Sequence, residues 1–164
     1  LFCPIIQVMP KASKEIHRFS AVMPQRLFDK MESYSDSRSL VTAHTVIADA
    51  MRARAKLEDL SLPIGDPSFK AKVGTVEITP SLALKEYDRS VKARKGVLLS
   101  PWAFNTLRET AQRTGTSSTQ VLNETIAFWL EILDESTRQG LYGRPDQYGI
   151  PCSVGERQLL LIAA

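Results

Sequence analysis

The chain is poor in the residues that most often announce chemistry. Cys3 and Cys152 are its two cysteines, and His17 and His44 its two histidines, in 164 residues. Their scatter matches no zinc-ligand spacing, and two thiols are too few for a disulfide scaffold of this size. No apolar run approaches the roughly 18 residues of a membrane span. The opening "LFCPIIQVMP" lacks the basic start and the apolar length of a secretory signal. The expectation is therefore a cytoplasmic protein with reduced thiols, no membrane partner, and no metal or other cofactor. Also missing are a glycine-rich phosphate loop, a paired-carboxylate motif and a nucleophile elbow. Neither cysteine has a histidine nearby in sequence, so no catalytic residue is assigned and the chain is not expected to be an enzyme. It begins at Leu1 rather than Met, which leaves room for residues upstream.

What is present is ordinary in amount. Hydrophobic residues make up 43% and charged residues 24%, values of a globular chain long enough for one domain. The net charge of +3 is, spread over the whole chain, only a slight pointer to an anionic partner.

The informative feature is an internal repeat. "RFSAVMPQRLFDKMESYSDSRSLVTAHTVIADAM" from Arg18 aligns with "RKGVLLSPWAFNTLRETAQRTGTSSTQVLNETI" from Arg94. Met23 then falls on Leu99, Leu27 on Ala103, Phe28 on Phe104 and Met31 on Leu107. After one residue is dropped from the loop, Thr42 falls on Ser117, Val46 on Val121, Ile47 on Leu122 and Met51 on Ile126. Residue class is kept at nearly every apolar position, so each copy is one supersecondary unit.

Each unit reads as strand, helix, helix. Phe19, Ala21 and Met23 alternate with Arg18, Ser20 and Val22, the period of a half-buried strand. Pro24 ends it and suits the first turn of a helix. Leu27, Phe28 and Met31 then share one helix face, as Phe104, Leu107 and Ala111 do in the second copy, where Thr114-Gly115 marks the stop. Ser117 with Gln120 fits a capping box. Behind it Val121, Leu122, Thr125, Ile126, Trp129, Leu130 and Leu133 form a long apolar stripe. In the first copy Thr42 and Thr45 take the capping places, with a thinner stripe of Val46, Ile47, Ala50, Met51 and Leu57. These stripes are core.

This unit, with "MP" closing the strand, resembles the ribbon-helix-helix superfamily of DNA-binding proteins over residues 16–58 and 93–135. The resemblance implies a mostly helical α+β fold in which two ribbon-helix-helix repeats in one chain interlock as an intramolecular pseudo-dimer. Their strands would pair as a two-stranded antiparallel ribbon that enters the major groove. The layout is similar to single-chain tandem members that serve plasmid relaxosomes and T-DNA transfer. The implied partners are double-stranded DNA at a border, origin or enhancer sequence, and a relaxase or other transfer protein. A repressor or antitoxin of the same fold is an alternative, although the apolar, aromatic tail is unlike a toxin-binding tail. A helical interaction module without DNA binding is a third reading.

With Phe19, Ala21 and Met23 facing the core, Arg18, Ser20 and Val22 face out, and the repeat makes Arg94, Gly96 and Leu98 their counterparts. These six are the expected base-contacting set. Val22 and Leu98 stand where polar residues are usual. The N-termini of the second helices offer free N–H groups to phosphates, which nominates Thr42, Ala43 and His44 in one copy and Ser117, Ser118 and Thr119 in the other. Lys92 and Lys95 are added from the basic run Lys70, Lys72, Lys85, Arg89, Lys92, Arg94 and Lys95.

The expected organisation is an N-terminal extension over 1–15 and a tandem domain over 16–138, followed by an irregular tail over 139–164. The tandem domain comprises repeat one (16–58), a connecting insert (59–92) and repeat two (93–138). In the insert, "KVGTVEIT" reads as a strand and Thr79-Pro80 opens a helix carrying Leu84, Tyr87 and Val91. Tyr142, Tyr148 and Leu159–Leu161 of the tail are expected along the core. A rival frame takes residues 73–113 as strand, helix, "RKG" turn and a helix opened by Ser100-Pro101. The capping box and the long Trp129 stripe favour the first frame.

Overall fold

Alternation of small or apolar with polar residues produces strand β1, His17–Pro24. Ala21 and Met23 are fully buried and Phe19 half-buried, while Arg18, Ser20 and Val22 are exposed. The computed structural model describes residues 16–36, 43–61 and 70–140. Expectations for Cys3, Thr42, Tyr142, Tyr148, Cys152 and Leu159–Leu161 lie outside them.

Helix α1, Gln25–Asp36, follows β1 directly and buries Leu27 and Met31, with Phe28 packed against the core. Pro24 has no side-chain oxygen to cap it. Its first amides are satisfied from far along the chain instead. Gln25 N–H donates to the Val91 carbonyl at 2.7 Å, and Arg26 N–H donates to Ser90 Oγ at 3.0 Å. Helix α2, Ala43–Ser61, buries Val46, Ile47, Ala50 and Met51 as the stripe requires. The side chain of Leu57 lies outside the described ones.

The insert departs from expectation. "KVGTVEIT" is not one strand but a hairpin of β2 (Ala71–Val73) and β3 (Val76–Ile78). The turn is set by Gly74 at φ +61°, where a Cβ would also meet Gln139 Oε1 at 1.8 Å. Gln139 uses that approach to donate from Nε2 to the Val73 carbonyl at 3.1 Å. Helix α3, Pro80–Lys85, is capped by Thr79 as expected. It ends before Val91, which is 78% exposed rather than on its apolar face.

Strand β4, Lys92–Leu99, contains Arg94, Lys95 and Gly96, which the rival frame placed in a turn. It pairs antiparallel with β1, Ser20 opposite Gly96, Arg18 opposite Leu98 and Val22 opposite Arg94. Helix α4, Pro101–Thr114, is capped by Ser100 and stopped by Gly115 at φ +68°. Helix α5, Ser118–Arg138, is capped by Ser117, whose oxygen accepts from Gln120 N–H. The return half of the capping box is absent: Gln120 Nε2 donates to Glu124 at 3.2 Å.

The result, over the described residues, is a mostly helical α+β architecture with two separate two-stranded antiparallel sheets. Helix α5 lies at its centre, because α2, α4 and the insert all pack against it. All seven stripe residues of α5 are buried, and so are Ala127, Phe128 and Ile132 between them. Each large apolar side chain taken out of water there contributes roughly 1.5–3 kcal/mol, which makes α5 the principal stabilising element.

Candidate nucleic-acid interface

Among the described residues β1 and β4 form a sheet with no third strand, and Arg18, Ser20, Val22, Arg94 and Gly96 on its outer side are exposed. Its side chains follow from the register. Arg18, Ser20, Val22, Arg94, Gly96 and Leu98 alternate onto one side. Ala21, Met23, Val97 and Leu99 alternate onto the other and are buried. The structure thus brings together all six residues expected to reach bases. Arg94 Nη1 donates to Ser20 Oγ at 3.2 Å across the ribbon, which orients one guanidinium over the outer face. Val22 is 37% exposed. A Cβ added at Gly96 would meet no atom within 4 Å, so the centre of the ribbon is open.

Lys92 and Lys95 divide. Lys92 shares the outer side with Arg94, whereas Lys95 belongs to the opposite side and places Nζ 4.5 Å from the centroid of the Phe28 ring. Period-two alternation separates neighbours that composition had grouped as one basic stretch. Farther back in the insert, Lys70 is bound to Glu77 at 2.8 Å and holds that carboxyl below its ordinary pKa through the hydrogen bond and the charge.

The two helix N-termini are only partly described. Ser117 is exposed, while Ser118 and Thr119 are half-buried in the first turn of α5. Ala43 and His44 begin α2, but their side chains lie outside the described ones. His17 lies in β1, stacked on Phe104 with centroids 4.4 Å apart.

A hollow sits at each end of the ribbon. One is lined by Val22, Pro24, Lys92, Ser117, Thr119, Gln120 and Asn123, together with Leu84, Tyr87 and Asp88 from the insert. The other is lined by Ile16, Thr45, Ile47, Ala48, Arg52, Leu98, Leu99, Ser100 and Ala103. Asn123 escaped the sequence reading. It is 6% exposed, and its Nδ2 donates to the Val22 carbonyl at 2.9 Å, tying the start of α5 to β1. Nothing local signals this, because Asn123 lies beside the apolar stripe, not within it.

No family model, curated protein or solved structure matches the chain. The reading of this surface therefore rests on its own geometry. Among the described residues no cluster of His, Cys, Asp or Glu could hold a metal ion, and no helix is long and apolar enough to cross a membrane. What the surface offers is a narrow two-stranded platform with guanidinium groups, a hydroxyl and aliphatic side chains facing outward. At one end it is flanked by a lysine and a helix N-terminus.

Proposed function

We propose that the chain binds double-stranded DNA by laying the outer face of the β1–β4 ribbon into the major groove, as a tandem ribbon-helix-helix protein. The observation that carries this reading is the isolated antiparallel ribbon with Arg18, Ser20 and Arg94 on its outer side. A two-stranded ribbon fits the major groove, where arginine reads guanine O6 and N7. Aliphatic groups such as Val22 and Leu98 suit thymine methyls. The register supports an intramolecular pseudo-dimer: its central pair, Ser20 and Gly96, is a pair of positions that the repeat matches. A two-fold axis through that pair would exchange the two strands, and α2 packs on α5 as two second helices would.

From the resemblance of layout alone, we propose that this binding assists plasmid or T-DNA processing, beside a relaxase. Binding is tested by fluorescence anisotropy on duplex DNA over a salt series. The expected outcome is affinity that falls steeply with salt. Arg18→Ala and Arg94→Ala should each lose about 1–3 kcal/mol on the preferred duplex. Affinity that ignores salt, or is unchanged in both variants, removes the ribbon from the DNA.

A further inference from the structure

The two ends of the ribbon are matched by the repeat yet differ in chemistry. Aligned position by position, Val22 corresponds to Leu98, Pro24 to Ser100, Lys92 to Ile16, Gln120 to Thr45 and Asn123 to Ala48, and these pairs line the two hollows in the same places. One end therefore presents an ammonium group where the other presents a branched alkyl chain that is 66% exposed. It presents a carboxamide where the other has a methyl group. The cation lining the apolar end, Arg52, donates to the buried carboxylate of Asp49, which offsets its charge. Among the described residues, Asp88 is the one carboxylate lining the polar end.

We propose that the two ends contact DNA unequally, so that the protein reads a site without two-fold symmetry and sits on it in one orientation. The inference rests on the DNA-binding reading above. A phosphate at the polar end meets the Lys92 ammonium and the first-turn amides of α5 behind Ser117. That helix start is held against β1 by Asn123, whose Oδ1 is buried and unpartnered. A phosphate at the other end meets the first-turn amides of α2 with Ile16 in the place of Lys92, and Ala48 has no side-chain amide with which to tie α2 to Leu98. A symmetric dimer presents two identical flanks and selects a palindrome. Among the described residues, one flank presents an ammonium group beside a tied helix start and the other an apolar rim.

The test is selection by the full chain from a pool of random duplexes, followed by ethylation interference on the winner. Expected is a non-palindromic consensus with strong phosphate interference at one end. Lys92→Ala should lower the log–log salt slope by about 0.9 and erase that interference. Asp88→Asn should strengthen binding, and Ile16→Lys should add a contact at the opposite end and raise the slope by a similar amount. Circular dichroism on each variant separates loss of contact from loss of fold. A palindromic consensus with equal interference at both ends overturns the proposal while leaving DNA binding standing. Failure to enrich any duplex overturns both.

Discussion

Single residues on the ribbon separate what the fold needs from what the surface is for. Gly96 is the sharpest case. Its φ is not in the left-handed region and a Cβ there would stand in open space, so nothing inside the protein requires glycine. Glycine in a strand costs roughly 0.5–1 kcal/mol relative to alanine, and a β-branched residue suits the strand better still. Gly96→Val should therefore leave the melting temperature unchanged or higher. On the proposed DNA-binding reading the same side chain would stand between the ribbon centre and the floor of the groove, so binding to duplex DNA should fall at least about tenfold, roughly the 1.4 kcal/mol that separates decades of affinity. Retained binding would mean that DNA does not approach the ribbon centre. Lys95 teaches a related point. Composition placed it among phosphate contacts, but one step along a strand reverses the face. Its ammonium rests on Phe28 instead.

Among elements, those with local signals were legible and those defined by distant partners were not. The alternation in β1, the Ser117 cap, the Gly115 stop and the α5 stripe each lie within a few residues of sequence, and each stands where the pattern put it. The β2–β3 hairpin was missed because strands of three residues are too short to show alternation. The cap of α1 was missed because its acceptor, Ser90, is 64 positions away. In the aligned copy, Ser100 caps its own helix, so the insert supplies in space what Pro24 lacks in sequence. Ser90→Ala should then destabilise the protein by about 1 kcal/mol, read from the urea midpoint, with Ser90→Asp retaining most of the stability. An unchanged midpoint in Ser90→Ala would show that solvent serves those amides equally well.

The insert also meets α1 and α5 in a titratable contact. Lys30 on α1 is bound to Asp134 on α5, beside Tyr87 of the insert. Burial works against the Lys30 charge, but the Asp134 hydrogen bond, with the charges of Tyr87, Asp134 and Glu131 behind it, outweighs burial and raises the pKa above the ordinary value. Burial raises that of Tyr87, with Lys30 partly opposing. Both groups thus have folded-state pKa values above their unfolded ones. Each contributes stability that is complete below its unfolded value of about 10 and is lost as pH rises through the folded value. The urea midpoint should be flat between neutral pH and about pH 9, then fall above about pH 10. Lys30→Met combined with Tyr87→Phe should flatten the fall, because Lys30→Met alone would leave the burial of Tyr87 unopposed. An equally steep loss in that variant would place the alkaline transition elsewhere in the molecule.

At the scale of the whole molecule, the decisive fact is that one chain supplies both strands of the ribbon. Neither strand-helix-helix unit buries its core alone. Met23 and Leu27 of the first unit share one cluster with Leu122, Ile126 and Trp129 of the second, and among the described residues β1 finds its ladder partners in β4 alone. If two chains supplied the strands, folding would be coupled to association and the melting temperature would climb with protein concentration. Here the partner strand is tethered, and closing the connecting loop costs only an amount that grows slowly with its length. The thermal midpoint of the full chain should therefore stay constant over a roughly hundredfold dilution, with calorimetric and van't Hoff enthalpies in agreement. A midpoint that falls steadily on dilution would mean that β1 pairs with β4 of a second copy. The ribbon would then carry strands of two molecules, and its two flanks would become interchangeable between them.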